Sequence, residues 1–174
     1  MPSSTFYNLT EAKQHNMKDA LLHEFSHHSL ADAQVARIIQ DAAVARGTFY
    51  KYFSDIMDAY QWLLEDVMSE LQLHPPKLMQ GCGTSQEYQK MVHQLIERIQ
   101  QSDYVSFLQM YYEENEGIIA AHNLNDRLTT ALTSQQWGIM VLCHEAIKES
   151  VINPHDQIKI ENRLGEVLSK IIGG

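Results

Sequence analysis

From Ile56 to Leu71 the side chains Ile56, Ala59, Tyr60, Leu63, Leu64, Val67, Met68 and Leu71 form an unbroken apolar series at the i, i+3, i+4 spacing. That period is the stripe of one long amphipathic α-helix, which must bury its oily side against other helices. Pro75-Pro76 is expected to stop it. The same period recurs elsewhere. Met17, Ala20, Leu21 and Phe25 predict a helix over 9–28, opened by a capping box between Asn8 and Glu11. Val35, Ile38, Ile39 and Ala42 predict a short helix capped by Asp32, and Phe49 and Phe53 turn inward from a third over 45–53. Ser54 or Asp55 caps the long helix. Beyond a Pro/Gly-rich loop at 75–85, further helices are expected at about 86–101, 104–116, 118–122, 124–151 and 155–172. The last two, parted by Asn153-Pro154, read as an antiparallel hairpin. No strand-like alternation or internal repeat interrupts this, so the fold class is all-α.

Charge decides which partners are plausible. The net charge of −9 at first disfavours nucleic acid, but it is unevenly spread. Residues 1–53 hold five Lys/Arg against five Asp/Glu, together with His15, His23, His27 and His28; the excess acid lies entirely behind them. No stretch reaches the roughly 18 apolar residues of a membrane span, and MPSSTFYNLT lacks the basic start and apolar run of a signal peptide, so a cytoplasmic protein is expected. Cys82 and Cys143 show no paired spacing and read as free thiols.

The segment Gln34–Phe53, QVARIIQDAAVARGTFYKYF, carries the functional reading. A helix that reads DNA needs a small N-terminal end near phosphates, polar or cationic side chains toward base edges, and apolar anchors behind. Gly47 lets backbone N–H groups approach a phosphate, Thr48 and Tyr50 offer hydroxyls, Lys51 offers charge, and Arg46 has a fork suited to guanine O6/N7. Tyr52 completes a polar-aromatic outer face.

With ARGTFYKYF following a short I-x-x-x-A-x-V helix and turn, the segment resembles the DNA-binding region of the TetR family of bacterial transcription regulators. Met17, Ala20, Leu22 and Phe25 fit that family's first helix and Asp58 the start of its fourth, so the likeness covers roughly residues 15–60. It implies a helix-turn-helix in which Arg46, Gly47, Thr48, Tyr50, Lys51 and Tyr52 make the DNA face while Phe49 and Phe53 pack inside. Three positions depart from the pattern. Ala43 stands where the turn usually has Gly, Ala45 where a capping Ser precedes the recognition helix, and Ile56 where a Lys would meet a phosphate.

The resemblance further implies a helix-turn-helix domain over 1–54 and a helical ligand-binding and dimerisation domain over 55–174. Two copies would pair through the last two helices and bind a pseudo-palindromic operator in double-stranded DNA. A small apolar effector would sit in the body, where Met91, Tyr104, Phe107, Met110, Tyr111, Trp137 and Met140 are available, although most of these are expected in the core. No cofactor is expected.

Two other classes compete. His23-Glu24-Phe25-Ser26-His27 is a formal HExxH, the pattern of a zinc-dependent hydrolase, but Leu30 and Ala33 stand where the extended motif needs Gly and a third His. As surface groups, His23 and His27 are expected to hold no metal tightly, and the protein is expected not to be an enzyme. A helical adaptor that kept the fold but lost DNA binding is the other alternative. Glu113, Glu114 and Glu116 read as a solvated face.

Overall fold

The structure, a computed structural model, describes residues 1–73, 83–122 and 132–172. Among these no strand occurs. In chain order the helices are α1 (Ser4–Tyr7), α2 (Glu11–His27), α3 (Val35–Asp41), α4 (Arg46–Tyr52), α5 (Ile56–Glu70), α6 (Ser85–Gln100), α7 (Val105–Met110), α8 (Glu116–His122), α9 (Ser134–Ile152) and α10 (Gln157–Ile172). A π-helical stretch, Tyr111–Asn115, joins α7 to α8, and a 3₁₀ turn, Pro154–Asp156, precedes α10. The loop expected at 75–85 falls mostly outside the described residues, as does Cys82. The chain forms two compact units, one of Met1–Glu70 with Ser106–Ala120, the other of Leu71–Val105 with Ala121–Gly174.

The first unit is built on α5. Ala59, Tyr60, Leu63, Leu64 and Val67 are buried along it, as the periodicity predicts. Its start is doubly capped: Asp55 accepts from the Asp58 backbone N–H at 2.8 Å, and Asp58 accepts from Ser54 N at 2.9 Å and from the Met1 amine. The helix ends at Glu70, earlier than expected, because Gln72 turns left-handed at φ 53°; the prolines lie beyond the described residues. Around α5 runs a chain of aromatic rings. Phe25 and Phe107 contact Tyr60 at 4.8 and 5.5 Å, and Phe6 contacts Trp62 and Phe53 at 4.9 and 5.2 Å. Lys18 ties α2 to α5 through Asp66 at 2.7 Å and Glu70.

Two expected caps are not made. Thr10, not Asn8, stands at the N-cap of α2, because residues 4–7 already form a helix that Asn8 closes. Gln34, not Asp32, precedes α3, and its side chain makes no cap bond. The acceptor comes instead from another helix, as Glu24 takes the Gln34 N–H at 2.7 Å. The helices expected at 104–116 and 118–122 run on as one, through the π-helical stretch. There Asn115 is fully buried and satisfied, accepting from Leu30 N at 2.8 Å and donating to the Tyr60 hydroxyl at 3.2 Å.

The second unit packs α6, α9 and α10. Val92, Ile96 and Ile99 of α6, Cys143, Ala146 and Val151 of α9, and Leu164 and Leu168 of α10 are buried in it. Capping boxes at Thr84/Glu87 and Thr133/Gln136 start α6 and α9. The final two helices form the expected antiparallel hairpin, and Gln135 near the start of α9 donates to the Ile171 carbonyl near the end of α10 at 3.0 Å. Cys143 is a free thiol whose pKa is pushed up to about 12 by burial.

Candidate nucleic-acid interface

Within the first unit, α3 and α4 are joined by a turn that is held by local hydrogen bonds and by side chains from elsewhere. The turn is a Schellman closure. Val44 N donates to Ile39 O at 3.0 Å and Ala43 N to Gln40 O at 3.2 Å, with Ala43 left-handed at φ 51°. Alanine therefore stands at a position glycine would occupy without strain, at a cost on the order of 1 kcal/mol. Asn16, reaching from α2, donates to the Ala42 carbonyl at 2.7 Å and fixes the turn.

Glu24 fixes the helix before it. Only 2% exposed, its carboxylate receives Arg37 Nε at 2.8 Å and Nη2 at 2.6 Å in addition to the Gln34 N–H. Burial alone would raise its pKa, but the Arg37 and Gln34 bonds and the Arg37 charge outweigh this and hold it below the ordinary carboxylate value. The same geometry removes the HExxH reading: a carboxylate closed by three donors cannot serve as a general base. His23 and His27 lie on the exposed side of α2. Among the described residues, no group of three or more His, Cys, Asp or Glu side chains is placed to hold a metal ion.

Helix α4 has two faces. Phe49 and Phe53, one turn apart, are buried at the rear. On the other side Arg46 and Lys51 are exposed and Tyr50 is 47% exposed. The Arg46 guanidinium lies over the Tyr50 ring at 5.9 Å, which holds both side chains together on the solvent side. Nothing lies within 4 Å of where a Gly47 Cβ would stand, so this glycine meets no internal packing need. Thr48 is half-buried. Tyr52 is half-buried and turned sideways, its ring edge-to-face with Phe6 at 5.7 Å. Ala45, at the N-cap, makes no side-chain cap bond, as its lack of a hydroxyl dictates. Ile56, at the position where the resemblance implies a phosphate-binding lysine, is half-buried.

The amino-terminal segment, not anticipated from the sequence, closes the far end of α4. Ser3 N donates to Tyr52 O at 2.8 Å and Ser3 Oγ to Lys51 O, satisfying carbonyls that a helix end leaves open. Phe6 anchors this strap among Tyr52, Phe53 and Trp62. No sequence period marks a four-residue helix; the prior signal is the aromatic pair Phe6-Tyr7 in a polar stretch.

The candidate effector-lining residues are dispersed. Phe107 is core of the first unit, Met110 and Tyr111 lie half-buried there, Met91, Tyr104 and Met140 lie half-buried in the second, and Trp137 is 59% exposed. Glu113 and Glu114 face solvent, and Glu116 is half-buried. Among the described residues, no helix is long and apolar enough to cross a membrane.

No family model matches the chain, and no curated protein matches it. Among solved structures it is similar to a TetR family transcriptional regulator from Chloroflexus aurantiacus J-10-FL. That likeness has a TM-score of 0.57 at 19% identity and covers 98% of this chain and 96% of that one. The chain thus shares the all-helical fold of that regulator.

Proposed function

We propose that the chain is a TetR-like DNA-binding transcriptional regulator, a cytoplasmic homodimer that acts as a repressor and answers to a small apolar effector. In this reading residues 1–54 bind DNA, residues 55–174 bind ligand and dimerise, and no catalysis is involved. The observation that carries it is the two-faced α4, with Phe49 and Phe53 sealed behind and Arg46, Tyr50 and Lys51 presented together in front. Arg46 would reach a guanine edge, Lys51 and the Thr48 and Tyr50 hydroxyls would meet phosphates, Gly47 would admit the backbone close to the duplex, and Tyr52 would flank it.

Dimerisation is supported by the outer side of the α9–α10 hairpin. Trp137 and Val141, one turn apart on α9, are 59% and 41% exposed. Leu142, Ala146, Ile160, Leu164 and Val167 line an apolar groove of about 140 Å³ together with Glu145, Glu149 and Arg163. An apolar strip carrying charges of both signs suits a self-complementary twofold contact. Paired in this way, two recognition helices would sit about 34–36 Å apart, one turn of DNA, and a pseudo-palindromic operator follows. An effector that moves α5 would change that spacing, so ligand and DNA would oppose each other by linkage.

The test is a gel shift against DNA flanking the protein's own gene, followed by selection from a random duplex pool, with Tyr50→Ala and Lys51→Ala as controls. Salt-sensitive retention lost in both variants supports the reading. Failure to bind any duplex even at low salt would replace it with the helical adaptor.

A further inference from the structure

We infer that His23 and His27 form a two-imidazole binding site for a borderline divalent transition-metal ion of the Cu²⁺, Ni²⁺ or Zn²⁺ class, with Asp41 as its outer support. The two residues are four apart on α2, whose opposite side is anchored by buried Leu21 and Phe25. Their rings lie side by side, 4.8 Å between centroids and tilted by 58°, and both are exposed.

Hydrogen bonding fixes which nitrogen of each ring is available. His27 Nδ1 is 2.7 Å from the His23 carbonyl oxygen, which can only accept, so Nδ1 carries the proton. His23 Nδ1 is 2.7 Å from Asp41 Oδ2, and a carboxylate likewise accepts. In the neutral rings both Nε2 atoms therefore hold lone pairs. A ring oriented by giving its other N–H to a carboxylate or a backbone carbonyl is the usual arrangement of a metal-binding histidine. With metal–nitrogen bonds of about 2.0–2.1 Å, two nitrogens on one cation lie within roughly 4 Å of each other. Exposed rings at this spacing reach that by a small rotation.

The sequence alone presents only two solvated histidines. Asp41, on α3, adds the orientation. Two protein ligands leave the remaining coordination positions to water, so the site binds moderately, prefers Cu²⁺ within its class and ignores Mg²⁺. It binds without hydrolysing, because Glu24 is committed to Arg37. Asp41 is the last residue of α3, two before the left-handed Ala43, so a cation that makes the His23 N–H a stronger donor also tightens the α2–α3 clasp.

Calorimetric titration of the intact protein with Ni²⁺, Zn²⁺ or Mg²⁺ tests this, using His23→Gln, His27→Gln and Asp41→Asn variants first shown to be as helical as the parent. The parent should bind one Ni²⁺ or Zn²⁺ at this site and melt at a higher temperature with it. Either histidine variant should bind at least tenfold more weakly and lose the melting shift, and Asp41→Asn should weaken binding roughly 10- to 100-fold. Mg²⁺ should give neither heat nor shift. Unchanged Ni²⁺ affinity in either histidine variant, or displacement of Ni²⁺ by equimolar Mg²⁺, would overturn the proposal, whatever the outcome with DNA.

Discussion

Arg37 grips the buried carboxylate of Glu24 through two nitrogens, at 2.8 and 2.6 Å, while the Gln34 N–H closes the same group at 2.7 Å. One carboxylate thus joins α2 to α3 and caps α3. Truncating it strands an arginine and a helix-end N–H together. Glu24→Ala should destabilise the fold by about 2–3 kcal/mol, less than a wholly buried pair because Arg37 is one-third exposed. Chemical denaturation of the variant, followed by far-ultraviolet dichroism, measures this. An effect under about 0.5 kcal/mol, the size of an ordinary surface change, would reduce the pair to decoration.

The turn offers the opposite experiment. Ala43 holds φ 51° with both Schellman hydrogen bonds made, so the strain is confined to one Cβ. Ala43→Gly should raise stability by about 1 kcal/mol, or roughly 2–4 °C in Tm for a chain of this size. Asn16→Ala should act the other way, freeing the Ala42 carbonyl. Thermal melts of both variants decide it; a lower Tm for the glycine variant would show that the left-handed turn is not what the solution structure uses.

These two sites also show what a linear sequence can and cannot reveal. The burial of Phe49 and Phe53 and the exposure of Tyr50 and Lys51 follow from spacing within one helix, and the α5 core follows from its stripe. The departure at Ala43 is equally local. Glu24 and Arg37 are 13 residues apart on different helices, and no period connects them. The missed caps fail for the same reason: Asn8 and Asp32 are good local candidates, but long-range partners and the short α1 supply competing solutions. At the candidate interface the outward face was legible, whereas the Ser3 and Phe6 strap behind α4 depends wholly on tertiary contact. The T-x-x-E at Thr84 did carry a legible signal, placing the start of α6 one residue before the expected 86.

Gly47 separates folding from recognition. Its Cβ position is open, so Gly47→Ala should preserve or raise stability by about 0.5–1 kcal/mol through helix propensity. If a duplex backbone approaches there, the added methyl should nonetheless weaken DNA binding. Lys51→Ala should weaken it evenly across sequences and lower the salt slope by about 1, while Arg46→Ala should cost about 1–3 kcal/mol and relax preference at one base position. Fluorescence anisotropy over a salt series reads all three. Unaltered affinity in Gly47→Ala would remove the glycine from the interface.

Two ion pairs give the fold opposite responses to pH. Hydrogen bonding to Glu161, at 3.0 Å, raises the His93 pKa above the ordinary 6.5, with smaller contributions from the Glu161 and Glu97 charges and burial opposing. A raised folded-state value means that the link between α6 and α10 contributes fully below pH 6.5 and fades as pH rises through the shifted value. Glu24 is held below its ordinary 4.5, so its contribution is present above that pH and is lost as acid titrates the folded group. His93→Gln should therefore flatten the stability profile above pH 6.5 and leave its acid limb intact; Glu24→Gln should flatten the acid limb alone. Because His93 is nearly half exposed, its effect should be the smaller and should shrink in high salt. Denaturation midpoints from about pH 2 to 9 in both variants test the assignment, and an acid limb that survives Glu24→Gln unchanged would place the acid sensitivity on other carboxylates, Asp58 first among them.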